Sequence, residues 1–179
     1  MQSRTFGPSA LATPANGLTA ARLLVTPIVV VAVLARGPSW ALLGAWVVLA
    51  STDGLDGWVA RRQGATRSGA FLDPLADKFL VLGALAALAG RGVLPWIPVA
   101  IIALREVGMS VYRSLAGRRG RSVPASALAK AKTWAQDLTV GVALAPIALP
   151  GDHVAALALL WLAVVLTLLS GAQYGLARR

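Results

Sequence analysis

Six long apolar segments follow one another along this chain, and they limit it to folds that place helices in a membrane. The segments are Leu18 to Leu34, Trp40 to Ala60, Phe71 to Ala89, Trp96 to Leu115, Leu128 to Leu149 and Val154 to Leu176. A helix needs about 20 apolar residues to cross a bilayer, and a spanning segment must satisfy its backbone hydrogen bonds internally. The sequence therefore predicts an all-α integral membrane protein with six transmembrane helices. Because these segments fill most of the 179 residues, we expect one transmembrane domain over residues 1–179.

Basic residues are sorted between the loops of this arrangement. One side collects Arg4, Arg61, Arg62, Arg67, Arg118, Arg119, Arg121, Arg178 and Arg179, whereas the opposite side has only Arg36 and Arg91. Cytoplasmic loops of membrane proteins retain Lys and Arg, so we expect a multi-pass protein of the cytoplasmic membrane with both termini in the cytoplasm and residues 1–15 as an N-terminal cytoplasmic segment. The same sorting explains the net charge of +10 without a nucleic-acid partner.

Four of the seven acidic residues lie inside the second and third apolar segments, as Asp53, Asp56, Asp73 and Asp77. A carboxylate at membrane depth costs about 2.5 to 3.5 kcal/mol on insertion scales, so four together require cations that neutralise them. Asp53 and Asp56 are three residues apart and Asp73 and Asp77 are four apart, and each spacing places both side chains on one face of a helix. Two helices can therefore direct all four carboxylates toward one point.

These acids are candidate metal ligands. Carboxylate oxygens suit Mg²⁺ or Mn²⁺, and the chain contains no cysteine that would favour zinc. Four negative charges balance two divalent cations, and paired metals are a recurrent device in phosphoryl chemistry. The structural alternative pairs the aspartates with Arg61, Arg62 or Lys78, but several buried salt bridges barely repay their desolvation.

Two strings of the sequence carry a resemblance. DGLDGWVAR runs from Asp53 to Arg61, and GAFLDPLAD runs from Gly69 to Asp77. Together they resemble the signature of the CDP-alcohol phosphotransferase family, although seven residues separate the strings where the family more often has eight. The resemblance implies that Asp53, Asp56 and Asp73 hold one metal and that Asp53, Asp73 and Asp77 hold the second. It also implies that Asp77 accepts the proton of the acceptor hydroxyl.

The donor site implied by the resemblance lies near these acids. Gly57 and Ala60 share nearly the same helical face as the first acidic pair, where small side chains leave room for a ligand, and the guanidinium of Arg61 can pair with a pyrophosphate. The string PANGLTAAR from Pro14 to Arg22 resembles the start of the family's first helix. The implied contacts to CDP-diacylglycerol come from Asn16, Thr19, Gly57, Ala60, Arg61 and Thr66. The alternatives are helix packing for Gly57 and Ala60 and helix capping for Asn16 and Thr19.

The acceptor is suggested by two further strings. REVGMSVYR from Arg105 to Arg113 and KAKTWAQ from Lys130 to Gln136 look like the corresponding regions of bacterial phosphatidylglycerophosphate synthases, which use glycerol 3-phosphate. An anionic acceptor needs fixed positive charge, and the candidates are Arg105, Arg113, Lys130 and Lys132. The alternatives are interfacial snorkelling for Arg113 and Lys132, and pairing of Arg105 with Glu106 or Asp137.

The sequence thus predicts an enzyme of phospholipid biosynthesis that transfers a phosphatidyl group from CDP-diacylglycerol to glycerol 3-phosphate, releasing CMP, at a site facing the cytoplasm. The same chemistry with inositol phosphate, another alcohol or phosphatidylglycerol as acceptor remains open. So do a divalent-cation transporter, in which intramembrane aspartates form a translocation site, and a catalytically inactive scaffold. A homodimer in the lipid bilayer is expected from the resemblance.

Overall fold

The computed structural model describes residues 14–63, 69–118, 127–146 and 152–176, with side chains described for 20–52, 76–115, 127–146 and 154–173. The described residues form six helices and no strand. The helices are α1 Pro14–Arg36, α2 Trp40–Gln63, α3 Gly69–Gly90, α4 Trp96–Arg118, α5 Ala127–Leu144 and α6 Asp152–Leu176. Each predicted apolar segment coincides with one helix, so the all-helical prediction is confirmed for the described part of the chain.

The largest difference from the predicted boundaries is the end of the fifth helix. Apolar composition predicted a helix as far as Leu149, whereas α5 ends at Leu144. Pro146 explains the difference, because proline disfavours helical conformation in the residue before it and has no N–H to continue the ladder. The Ala145 amide instead donates to the Val142 carbonyl at 3.2 Å, which closes the helix with a tighter turn.

α1 and α3 pack closely along their lengths. A Cβ built on Gly83 of α3 would lie 3.0 Å from Val30 Cγ2 of α1, and one on Gly90 would lie 3.3 Å from Leu34 Cδ2. Leu85 of α3 and Val33 of α1 are both fully buried. The absence of a side chain at Gly83 therefore allows the two helices to approach this closely.

The turn between α1 and α2 depends on another glycine. Gly37 has a φ of +72°, a conformation that glycine adopts without steric cost, and its amide donates to the Val33 carbonyl at 2.9 Å. This arrangement ends α1 with a left-handed residue. A Cβ on Gly37 would also lie 3.0 Å from Arg91 Nη2, so the two short interhelical turns meet at this end of the helices.

Large apolar side chains cover much of the outer surface. Leu104 is 75% exposed and Leu24 is 72% exposed, and many others lie beside them on the outer helix faces. Soluble monomers rarely present apolar surface so widely. Within the described residues, Val154–Gln173 is long and apolar enough to cross a membrane, and Trp40–Thr52 is a shorter apolar helix. The surface agrees with a membrane protein, and the number of crossings stays a prediction.

The remaining contacts place four helices around a common space. α5 packs along α6, α4 contacts both α3 and α6, and α5 also contacts α2 and α3. α2 in turn contacts α1. Side chains from α2, α3, α4 and α5 consequently surround one cavity.

Candidate active site

A cavity of about 960 Å³ lies between α2, α3, α4 and α5. Apolar residues such as Leu43, Val81 and Val142 form part of its wall, and charged residues form the rest. The charged lining consists of Asp77, Lys78, Arg105, Glu106, Arg113, Lys130, Lys132 and Asp137. All four residues predicted to bind the acceptor phosphate therefore lie around the same space as the predicted base, Asp77.

The predicted metal ligands lie on two helices with the expected spacing. Asp53 and Asp56 belong to α2, and Asp73 and Asp77 belong to α3. Asp77 is half-buried and lines the cavity, whereas the side chains of the other three lie outside the described residues. Ala50 of α2 also lines the cavity. Ala50 precedes Asp53 by about one helical turn, so Asp53 and Asp56 follow directly on α2 after the residues that line the cavity.

This donor set fits divalent cations of the Mg²⁺ or Mn²⁺ class. The four candidates offer carboxylate oxygens alone, at helical spacings that leave both members of each pair on one face. Among the residues with described side chains, no cluster of three or more acidic, histidine or cysteine side chains forms a metal site. The assignment of ligands therefore stays a prediction based on the sequence and on the helical register.

The predicted donor-site residues occupy helix ends. Asn16 and Thr19 lie in the first turns of α1, and Gly57, Ala60 and Arg61 lie in the last turns of α2, with side chains outside the described residues. Thr66 lies outside the described residues entirely. α1 begins at Pro14, an amino acid favoured at the first helical position. Asn16 and Thr19 are consequently inside the helix, so N-capping does not explain them.

A buried ionic cluster forms one side of the cavity. The Arg105 Nη1 atom lies 2.9 Å from Glu106 Oε1, and the Lys132 ammonium donates to the same carboxylate oxygen. The side chains of Arg105, Glu106 and Lys132 are 13%, 4% and 7% exposed. The alternative that paired Arg105 with Glu106 is thus confirmed as a contact. Snorkelling is wrong for Lys132, because its ammonium points into the protein rather than toward an interface.

Lys78, which is not among the predicted site residues, joins this cluster. Its ammonium donates to Ser110 Oγ, and the Ser110 hydroxyl donates to the Glu106 carbonyl at 2.7 Å. The sequence does contain a general indication for Lys78 and Glu106, because a charged residue within an apolar helix is costly and often functional. Their partners were not predictable, because Lys78 and Ser110 are 32 residues apart.

The electrostatic balance of the cavity is positive. Five cationic side chains line it against three carboxylates. Glu106 neutralises part of the charge of Arg105 and Lys132, while Arg113 of α4 and Lys130 of α5 add further positive charge to the cavity wall. Such a surface is suited to an anionic ligand such as a phosphate.

Comparison with known proteins identifies the family. The sequence model of the family described as CDP-alcohol phosphatidyltransferase matches residues 12–169. A probable phosphatidylglycerophosphate synthase from Mycobacterium tuberculosis (strain ATCC 25618 / H37Rv) is 40% identical over 174 residues, which cover 94% of this chain and 82% of that protein.

Two further relatives agree with this match. A CDP-diacylglycerol–glycerol-3-phosphate 3-phosphatidyltransferase from Bacillus subtilis (strain 168) is 36% identical, with 89% of this chain and 91% of that protein covered. A protein of the same name from Rickettsia bellii (strain RML369-C) is 35% identical with the same coverage. The chain therefore belongs to the CDP-alcohol phosphatidyltransferase family and is a phosphatidyltransferase.

Proposed function

We propose that this protein transfers the phosphatidyl group of CDP-diacylglycerol to glycerol 3-phosphate, forming phosphatidylglycerophosphate and CMP in phospholipid biosynthesis. The observation that carries the proposal is the cavity in which Asp77 lies with Arg105, Arg113, Lys130 and Lys132. The names of the relatives, which cover most of this chain, support the same reaction. A proton acceptor beside a phosphate-binding surface is what a phosphorylated alcohol requires.

The acceptor phosphate is bound by the cationic side of the cavity. Arg105 and Lys132 are fixed in place by Glu106, and Arg113 and Lys130 add positive charge on the same two helices. Arg105 itself lines the cavity and brings its charge to this side. An uncharged alcohol would not need this concentration of cations.

The reaction begins when the acceptor hydroxyl lies beside Asp77. The carboxylate of Asp77 accepts the hydroxyl proton, which is the role of a general base. The acceptor oxygen then bonds to the β-phosphorus of the donor, and the bond between that phosphorus and the oxygen bridging to the α-phosphate breaks. CMP leaves with that bridging oxygen, so atoms and charge balance.

Two divalent cations, Mg²⁺ or Mn²⁺, belong to this proposal. Asp53, Asp56, Asp73 and Asp77 would hold them, and when bound they supply electrostatic stabilisation of the charge that develops on the pyrophosphate. The chain's own residues position the substrates. Asn16, Thr19, Gly57, Ala60, Arg61 and Thr66 bind the CDP group of the donor.

The membrane arrangement completes the proposal. Residues 1–179 form one domain whose six helices cross the cytoplasmic membrane, with both termini and the active site on the cytoplasmic side. The wide apolar surface supports insertion into a membrane, and the sorting of basic residues between loops supports the orientation. The acyl chains of the donor then stay in lipid while its nucleotide and glycerol 3-phosphate remain in water. The protein is expected to work as a homodimer.

The test is an acceptor comparison with purified protein. CDP-diacylglycerol is supplied with labelled glycerol 3-phosphate, inositol 1-phosphate, glycerol or phosphatidylglycerol, and lipid product and CMP are measured. We expect product with glycerol 3-phosphate and a matching amount of CMP. Product with inositol 1-phosphate alone would reassign the acceptor, and ion flux without CMP release would favour a cation transporter instead.

A further inference from the structure

α6 carries a buried polar strip within an otherwise apolar sequence. Val154–Gln173 is the one described stretch that is long and apolar enough to cross a membrane. Thr167 and Ser170 nevertheless lie in this helix with 0% exposure. With Gly171, these residues follow a spacing of three and four, so they share one face of α6. A hydroxyl buried in such a helix needs hydrogen-bond partners.

The partner of Ser170 is a residue of the proposed acceptor site. Arg105 Nη2 donates to Ser170 Oγ across 2.6 Å, and the Ser170 hydroxyl donates to the Thr167 carbonyl at 3.1 Å. Ser170 therefore accepts a hydrogen bond from a charged donor and donates one to the backbone of its own helix. A residue without a hydroxyl loses both interactions.

Gly171 provides the space for the same guanidinium. A Cβ at this position would lie 3.4 Å from Arg105 Nε and 4.0 Å from Arg105 Nη2. The edge of the guanidinium that carries Nε and Nη2 thus lies beside Gly171 of α6. On the other side, Arg105 Nη1 is held by Glu106 at 2.9 Å.

These contacts fix both terminal nitrogens of Arg105. A guanidinium carries five N–H donors in a rigid planar fork, and the bonds to Glu106 and Ser170 use two of them. Arg105 itself lines the cavity, whereas Ser170 is buried behind it and is not among the described residues that form the cavity wall. The contacts of Ser170 therefore set the direction of the donors that remain for a ligand.

We propose that Ser170 is a positioning residue that orients Arg105 toward the phosphate of the acceptor. This inference rests on the proposed function and extends it from the cavity wall to α6. A planar guanidinium forms paired hydrogen bonds with a phosphate only in a narrow range of orientations. Loss of the Ser170 hydroxyl lets the guanidinium rotate and weakens acceptor binding while the donor site, on α1 and α2, is unchanged.

The first experiment separates the two substrates. KM for glycerol 3-phosphate and KM for CDP-diacylglycerol are measured for the wild-type protein, Ser170→Ala and Ser170→Cys. The cysteine variant keeps the shape of the side chain with a slightly larger atom, but its sulfur accepts hydrogen bonds weakly. We expect both variants to raise the acceptor KM about tenfold, equivalent to about 1.4 kcal/mol, with the donor KM changed less than twofold. Equal changes in both KM values, or none, would overturn the proposal.

Thr139 gives the matched control. It is buried on α5, its hydroxyl donates to the Ala135 carbonyl of its own helix at 2.7 Å, and it is not among the described cavity residues. Thr139→Val removes a buried hydroxyl with little change in shape. We expect both KM values of this variant to stay within twofold of wild type. An acceptor-specific effect as large as that of Ser170→Ala would show that any buried hydroxyl acts in this way, and would refute a specific role for Ser170.

A double variant tests whether Ser170 acts through Arg105. In an Arg105→Gln background, Ser170→Ala should change the acceptor KM less than twofold, because the guanidinium that it orients is absent. Independent, multiplying effects would contradict the proposal.

The wild-type protein separates this inference from the proposed function. If it makes no product with glycerol 3-phosphate, the proposed function fails. If it does so and Ser170→Ala is equally efficient, only the inference about Ser170 fails.

Discussion

Glu106 is the only glutamate of the chain, and its replacement tests the buried cluster most directly. Glu106→Gln preserves the shape of the side chain and an acceptor oxygen but removes the negative charge. Arg105 and Lys132 both contact this carboxylate and are themselves largely buried. The substitution therefore leaves two cations close together with no counter-charge between them.

The cost can be estimated from these contacts. Removal of one partner of a buried ion pair typically destabilises a protein by about 3 to 5 kcal/mol. Glutamine still accepts a hydrogen bond, so we expect the lower end, about 3 kcal/mol. For a chain of this length, that loss corresponds to a decrease in Tm of about 6 to 12 °C.

Thermal unfolding in a single detergent, followed by helical circular dichroism, measures this change. The matched variant is Glu106→Gln combined with Lys132→Met, which removes one cation together with the carboxylate and keeps an apolar stem of similar length. We expect it to recover at least half of the lost Tm, since one cation no longer faces another. A Tm for Glu106→Gln within about 2 °C of wild type, or a double variant less stable than the single one, would refute the assigned role of Glu106.

Four further predictions follow from the site and from the packing. Asp77→Asn should lower kcat by at least about 100-fold, as expected for loss of a general base. Binding of CDP-diacylglycerol, measured by equilibrium titration, should persist. Near-normal turnover would show that Asp77 is not the general base. Arg105→Gln should raise the acceptor KM more than the donor KM in steady-state assays, and the reverse pattern would reassign Arg105 to the donor. Gly83→Ala should destabilise the protein by about 1 to 3 kcal/mol, because its Cβ would lie 3.0 Å from Val30 Cγ2. Gly108→Ala is the control, because no atom lies within 4 Å of the new Cβ, and its Tm should be unchanged or higher. Equal Tm values for the two variants would contradict the close packing of α1 and α3. Chelation by EDTA should abolish CMP release and added Mg²⁺ or Mn²⁺ should restore it, so that undiminished activity after exhaustive chelation would refute metal dependence.

The fold was largely predictable because its main determinant is local. Each apolar segment is long enough to form a helix, and the breaks fall at Gly, Pro and Arg residues such as Arg36 and Gly37. Apolar composition predicts too long a fifth helix, because it does not register the break that Pro146 imposes after α5. In a membrane protein, apolar residues continue past a helix end, so hydropathy alone does not locate that end.

The site was predictable in its residue types but not in its pairings. The four acceptor-site cations were named from charge and resemblance, and they do line one cavity with Asp77. The bond between Lys132 and Glu106 spans 26 residues, and that between Arg105 and Ser170 spans 65. Periodicity reports which face of a helix a residue occupies, but it contains no information about which helix lies opposite. Ser170 was missed for this reason.

The two most extensive helix pairings of the described residues are α1 with α3 and α5 with α6. The first pair, which packs closely at Gly83, carries Asn16 and Thr19 on α1 and Asp73 and Asp77 on α3. The second pair carries Lys132 on α5 and Ser170 on α6, and α6 contacts α4, which carries Arg105. Under the proposed function, α1, α2 and α3 handle the activated lipid nucleotide, whereas α4, α5 and α6 bind the incoming alcohol phosphate. Under that proposal, a different head group requires changes mainly on α4, α5 and α6, while the residues that hold the metals and the nucleotide stay constant.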